Sequence, residues 1–171
     1  MALAFVSIGS NVAPEDNIKK AVRLLGARAL IRAISTVYLT EPVGATEQPS
    51  YYNCMVKIES ELPPLELKRT VLRRIEEELG RKREADRFAP RTIDLDLVLY
   101  AGVVLKTAEL VLPDPEIRSR PFLAGPLFEL APDLIMPDSK EPIAVIAARM
   151  RGAGIRPLTM YTDLLKKELT L

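Results

Sequence analysis

The 171-residue chain contains no histidine. That excludes Ser-His-Asp and Cys-His catalysis and every histidine-based metal site. Any chemistry must therefore run on carboxylates, arginines, lysines and metal-bound oxygen. The single cysteine, Cys54, cannot close an intramolecular disulfide, which fits a reducing compartment. Neither GxxxxGKS/T nor GxGxxG occurs, so a nucleotide would have to be held by side chains and a metal rather than by a glycine-rich cradle. Charge of one sign is not in excess either. The net charge of +1 gives no global field for a nucleic-acid or membrane partner. The apolar run at residues 3–8 is too short to cross a bilayer and lacks a basic leader, so a soluble, cytoplasmic protein is expected. Hydrophobic content of 48% and charged content of 27% suit one globular domain of this length, read as spanning 1–171.

What is present falls into alternating elements. Residues 3–8 read as a buried strand closed by Gly9-Ser10-Asn11. Pro14, Glu15 and Asp16 suit a helix first turn, followed by Ile18, Ala21, Val22 and Leu25 at helical spacing and a stop at Gly26. A strand over about 30–39 comes next, then a loop over 40–50. Residues 52–59 alternate, with Cys54, Val56 and Ile58 on one face and Asn53, Met55, Lys57 and Glu59 on the other. A helix runs from Pro63-Pro64 through Leu79, with Leu65, Leu72, Ile75 and Leu79 on one stripe and Gly80 at the left-handed cap. A strand at 93–100 follows, and Ala101-Gly102 is expected to fold 103–105 back as a hairpin. This order gives an α+β fold with a ferredoxin-like βαββαβ core, an antiparallel sheet with helices packed on it. Beyond a proline-rich link at 111–115, extra C-terminal helices are expected from Pro121 past Leu127 and near 143–150 and 162–169.

The chemistry concentrates in GRKREADRFAPRTIDLDLVLY, residues 80–100. Arg81, Lys82, Arg83, Arg87 and Arg91 face only Glu84 and Asp86 as local counter-charges. Asp94 and Asp96 then share one face of the strand, with Cα atoms roughly 6.5–7 Å apart, while Ile93, Leu95, Leu97 and Leu99 take the other face. Two carboxylates so placed can hold one cation or two adjacent ones, and all-oxygen ligation suits magnesium better than zinc. The arginines offer bidentate forks for a polyphosphate. Taken singly, each is as well explained as a solvated surface charge. In the loop and the strand after it, Pro42, Val43, Gly44, Tyr51 and Asn53 offer a wall, exposed backbone, an aromatic ring and an amide for a flat heterocycle, although turn chemistry explains Pro and Gly equally well.

These segments resemble the 6-hydroxymethyl-7,8-dihydropterin pyrophosphokinase family of folate biosynthesis. The matching pieces are SIGSN at 7–11, Tyr38-x-Thr40-x-Pro42-x-Gly44, Gln48-Pro49-x-Tyr51-x-Asn53, Gly80-Arg81-x-Arg83, APRTIDLDLVLY at 89–100 and LPDPEIRSRPFLAGPLFELAPDL at 112–134. The resemblance implies transfer of pyrophosphate from ATP to the pterin hydroxymethyl oxygen, releasing AMP, with two magnesium ions held by Asp94 and Asp96. It implies that Asp96 helps deprotonate the hydroxyl and that Arg81 and Arg91 stabilise the moving phosphoryl group. The pterin would meet Thr40, Pro42, Val43, Gly44, Tyr51 and Asn53, with its ring between Tyr51 and Phe122. ATP would meet Gln48, Glu76, Arg83, Arg87, Leu97 and Arg120. The expected partners are these small molecules, with no nucleic acid or membrane, and the expected state is a monomer.

One departure bears on nucleotide binding. The family usually reads Leu-Pro-His-Pro where this chain has Leu112-Pro113-Asp114-Pro115, and an ionised Asp114 would repel phosphate that a histidine could meet. The alternative reading is therefore a degenerate, non-catalytic ATP- and pterin-binding homologue. An RNA-binding ferredoxin-like domain is disfavoured, because Asp94 and Asp96 put negative charge where a basic, aromatic sheet face is needed. The loops at 40–50 and 81–91, with few residues to anchor them, are expected to close over both substrates.

Overall fold

The computed structural model describes residues 1–41, 48–81 and 90–170. Strand β1 (Ala2–Ser10) runs through the middle of the sheet, antiparallel to β4 (Tyr51–Ser60) on one side and to β5 (Asp94–Tyr100) on the other. The outer edge of β4 carries β2 (Leu30–Ile34) and β3 (Tyr38–Thr40) end to end, and β8 (Ile155–Pro157) pairs with β3 beyond them. With helix α1 (Pro14–Gly26) between β1 and β2, and helix α2 (residues 64–78) between β4 and β5, this is the expected ferredoxin-like core.

Each helix forms for a local reason. Pro14 pre-sets the first turn of α1, Glu15 and Asp16 face its positive end, and Ile18, Ala21, Val22 and Leu25 are all buried. Each fully buried Ile, Val or Leu contributes on the order of 1.5–3 kcal/mol. Helix α2 starts at Pro64, passes through a π-helical stretch at Leu67–Leu72 and ends before Gly80, whose φ of 79° no other residue adopts as easily.

The sheet is covered on both faces. Ile8, Val56, Ile58 and Leu95 pack against α1 and α2. Phe5, Met55, Val98 and Leu99 pack on the opposite face beneath α3 (Pro121–Leu130) and α4 (Ile143–Arg149). Helix α5 (Thr159–Leu169) returns to the first face through Leu165. The second cover stops short, and the sheet surface left open there is the floor of a cleft.

Three local expectations are corrected. The strand expected over 30–39 is broken at 35–37. Buried Ser35 keeps its N–H bonded to the Met55 carbonyl (2.9 Å), while its hydroxyl accepts the Met55 N–H (2.9 Å), a side chain standing in for a backbone acceptor. Leu99 does not share a face with Leu97. The β1–β5 register jumps between Phe5/Leu99 and Val6/Leu97, leaving Val98 as an extra residue that turns Leu99 into the second core. The hairpin after Ala101-Gly102 does not fold back on β5. Instead Leu105–Lys106 (β6) pairs with Val111–Leu112 (β7), closed by the Thr107 hydroxyl, which accepts the Leu110 N–H at 3.0 Å. No helix among the described residues is long and apolar enough to cross a membrane.

Ser35→Ala should leave the Met55 N–H buried without an acceptor and cost about 1–3 kcal/mol in urea unfolding. An unchanged midpoint would show that the hydroxyl does not carry the ladder across the break.

Candidate active site

The open part of the sheet forms one side of a cleft of about 280 Å³, whose lining includes Ser7, Gly9, Asn53, Asp94 and Asp96. Thr40, Glu41, Gln48 and Tyr51 border one end, and Asp114, Glu116, Arg120, Phe122 and Leu123 close it from the C-terminal half. The alternation of β1, β4 and β5 explains the floor: residues whose neighbours fill the helix-covered core point the other way.

At the charged end, Arg81 bonds both Glu76 and Asp94 through one guanidinium nitrogen, and Arg91 bonds the second Asp94 oxygen. Glu76 is buried and also accepts the Leu95 N–H at 2.8 Å. Burial is the main reason its carboxyl titrates above the ordinary range, against the Leu95 N–H and Arg81, which favour the ionised form. Burial alone would lower the Arg81 pKa, but Asp94 and Glu76 outweigh it and raise it. The ion network thus fastens the end of α2 to the start of β5.

Asp96 stands apart. Its side chain is exposed to the cleft, and no arginine or lysine among the described residues bonds to it. The protein crowded around it displaces part of its solvent and, with the charges of Asp94, Glu76 and Asp114, pushes its pKa up to about 7. Asp114 is delivered by the bulge: its N–H bonds the Val98 carbonyl at 2.8 Å, just after a cis Leu112–Pro113 peptide. Its carboxylate accepts the Glu116 N–H (2.8 Å), capping the short helical turn at Pro115–Arg118. Burial raises the Asp114 pKa as well.

At the other end, the Asn53 amide donates to the Thr40 hydroxyl (2.7 Å), which fixes the edge it presents to the cleft. Its Oδ1 lies 2.7 Å from where a Cβ on Gly9 would stand, so only glycine lets the amide sit flat on β1. Tyr51 is partly buried, which raises its pKa.

The structure therefore brings together Thr40, Gln48, Tyr51, Asn53, Arg91, Asp94, Asp96, Arg120 and Phe122 in one cleft, with Arg81 behind Asp94. Glu76 lies behind the wall, and the Leu97 side chain points into the helix-covered core, away from the cleft. Pro42, Val43, Gly44, Arg83 and Arg87, and with them the expected loop closure, lie outside the described residues. Sequence reasoning passed over Ser7, Gly9 and Asn11 as site residues. Asn11, buried just past β1, anchors the chain where both loops re-enter. It exchanges backbone and side-chain bonds with Arg91 (3.1 and 2.8 Å) and donates to Gln48 Oε1 and the Pro49 carbonyl (3.3 Å each). The expectation of few anchors is corrected at these ends. The available signal was a polar Ser-Asn pair directly after a buried strand.

The donor set fits magnesium. Among the described residues no group of three acidic or thiol side chains could hold a metal unaided. Asp96 has no ion-pair partner among those residues, however, and Asp94, though bound to two arginines, keeps lone pairs free, since a carboxylate offers about four acceptor sites. Two protein carboxylates completed by phosphate oxygens and water is the usual magnesium arrangement.

The profile of the 7,8-dihydro-6-hydroxymethylpterin-pyrophosphokinase (HPPK) family matches residues 5–132. The 2-amino-4-hydroxy-6-hydroxymethyldihydropteridine pyrophosphokinase of Haemophilus influenzae is 36% identical over 143 residues, 82% of this chain and 88% of that protein. The Pseudomonas aeruginosa protein of the same name is 36% identical over 149 residues, covering 84% of this chain and 90% of that protein. In three dimensions the chain resembles the HPPK-DHPS of Plasmodium falciparum, solved with SDX-DHP, with a TM-score of 0.70 at 13% identity, over 99% of this chain but only 47% of that one. This last likeness speaks for the fold alone. By profile and by identity over most of its length, the chain belongs to the 7,8-dihydro-6-hydroxymethylpterin-pyrophosphokinase family.

Proposed function

We propose that this chain, a single pyrophosphokinase domain, transfers pyrophosphate from ATP to the hydroxymethyl group of 6-hydroxymethyl-7,8-dihydropterin. The products are AMP and the pterin diphosphate, in cytoplasmic folate biosynthesis, and the protein acts as a monomer on small molecules. The observation that carries the reading is the polarity of one cleft: a heterocycle-sized amide and aromatic end at Asn53, Thr40, Tyr51 and Phe122, facing a carboxylate and arginine end at Asp94, Asp96 and Arg91. Family membership supports pyrophosphoryl transfer in folate biosynthesis.

Asn53 donates and accepts at one edge of the ring, its orientation set by Thr40 and Gly9. Tyr51 and Phe122 flank the ring. Asp94 and Asp96 would hold two magnesium ions, which neutralise polyphosphate charge and align it for attack. Arg91 faces the same region from the cleft wall, and Arg81 holds Asp94 in place from behind. Arg120, Gln48 and the arginines of the 82–89 segment would meet the nucleotide. Asp96, whose carboxylate opens to the cleft, is suited to take the hydroxyl proton as the oxygen attacks.

A second reading, binding without turnover, draws on Asp114, whose charge adds to that of Asp94 and Glu76 around Asp96. Asp114→Asn keeps an oxygen for the cap but removes the charge. It should tighten nucleotide binding about two- to fivefold by titration calorimetry, the scale of one solvent-screened like-charge contact. Unchanged affinity would show that Asp114 does not oppose the phosphates.

The direct test is enzymatic. ATP should give AMP only with magnesium and the reduced hydroxymethylpterin both present, and Asp96→Ala should abolish turnover while circular dichroism stays native. Nucleotide binding without turnover in the wild-type protein would favour the second reading, and retained activity in Asp96→Ala would remove the carboxylate pair from the mechanism.

A further inference from the structure

The family profile ends at residue 132, yet the strand that carries Thr40 is held in place by residues beyond 150. Strand β3 is three residues long and is followed by Glu41. On one side it pairs with β4, setting Tyr38 opposite Asn53 and Thr40 opposite Tyr51. On the other side it pairs with β8, setting Thr40 opposite Ile155 and Tyr38 opposite Pro157. A strand this short with one free edge is marginal, and β8 removes that edge. Pro157, which lacks an N–H, suits the new outer strand.

The join just before β3 is buried. Val37 is fully enclosed; its carbonyl accepts the Leu158 N–H (2.8 Å), and its N–H donates to the Thr162 hydroxyl (2.9 Å). The same hydroxyl donates to the Leu158 carbonyl at 2.9 Å. Thr162 is itself buried, and α5 is seated in the helix-covered core by Leu165. One hydroxyl therefore ties the first turn of α5 to the residue from which β3 departs.

We infer that the C-terminal unit Ile155–Leu169 positions the heterocycle end of the cleft, with Thr162 as the positioning residue. The route is Thr162 to Val37, along β3 to the Thr40 hydroxyl, and from there to the Asn53 amide that Thr40 orients. Thr162 touches no substrate in this scheme. The ligand part of the claim rests on the pterin reading given above, whereas the effect on Asn53 does not.

Thr162→Val keeps the shape and removes the acceptor; Thr162→Ser keeps the acceptor. Ile58→Val, buried at the far end of β4, serves as a control that loosens the core without touching β3. Two measurements are made at a temperature where all variants are folded. In the unliganded protein, the Asn53 side-chain amide resonances should shift in Thr162→Val and stay near their wild-type positions in Thr162→Ser and Ile58→Val. With a non-hydrolysable ATP analogue bound, Kd for 6-hydroxymethyl-7,8-dihydropterin should rise about three- to tenfold in Thr162→Val alone, with the affinity for the analogue unchanged. Wild-type resonances in Thr162→Val overturn the inference, as does an equal shift in Ile58→Val. A wild-type protein that takes up no pterin contradicts the proposed function instead, and the resonances alone then decide the positioning claim.

Discussion

The partly buried ion network of Glu76, Arg81, Asp94 and Arg91 is the constraint on which the rest of the site depends. Removing charges from water is costly, and such a cluster persists only when its charges are paired. Glu76 meets that demand with Arg81 and the Leu95 N–H, and Asp94 meets it with two arginines. Because the partners come from the end of α2, the start of β5 and the residue next to the Asn11 anchor, their mutual satisfaction sets where these elements meet. The position of Asp94 follows from that meeting. Asp96, two residues on and on the same face, inherits the position without inheriting an ion-pair partner among the described residues. Two carboxylates thus share one face of β5, one paired to arginines and the other, among the described residues, without an ion-pair partner.

A second constraint lies in the sheet. The extra residue Val98 in β5 turns Leu99 under α3 and α4 and leaves a carbonyl that Asp114 takes up. One bulge thus completes the second core and delivers a carboxylate to the cleft. Its cost in charge falls on Asp96, where Asp114 adds to desolvation and to the charges of Asp94 and Glu76 in raising the pKa. At the opposite end, the absence of a side chain at Gly9 and the hydroxyl of Thr40 fix one amide, and Thr40 is carried by a strand that the C-terminal unit completes.

Much of this was legible in the sequence because it depends on local periodicity. The apolar spacing of Ile18, Val22 and Leu25 specifies one face of α1, Gly80 marks the cap of α2, and the period of two sends Asp94 and Asp96 to one side of β5. What escaped depends on partners distant in the chain. The switch of Leu99 requires knowledge of the β1 register, and the break at Ser35 requires the Met55 N–H opposite it. Asn11 reads as turn chemistry until its bonds to Arg91, Gln48 and Pro49 are seen. Glu76 and Leu97 look alike as neighbours of a site, yet one sits in the ion network behind the cleft and the other faces the helices.

The central claim is that this cleft moves a diphosphate from nucleotide to pterin as one unit, between an arginine- and carboxylate-lined end and an amide-lined end. Phosphorus-31 NMR of the protein turning over ATP, magnesium and 6-hydroxymethyl-7,8-dihydropterin tests it most directly. The account predicts a pair of mutually coupled resonances from a pterin-linked diphosphate, growing in step with the single resonance of AMP. A single uncoupled phosphate ester growing in step with ADP would contradict it.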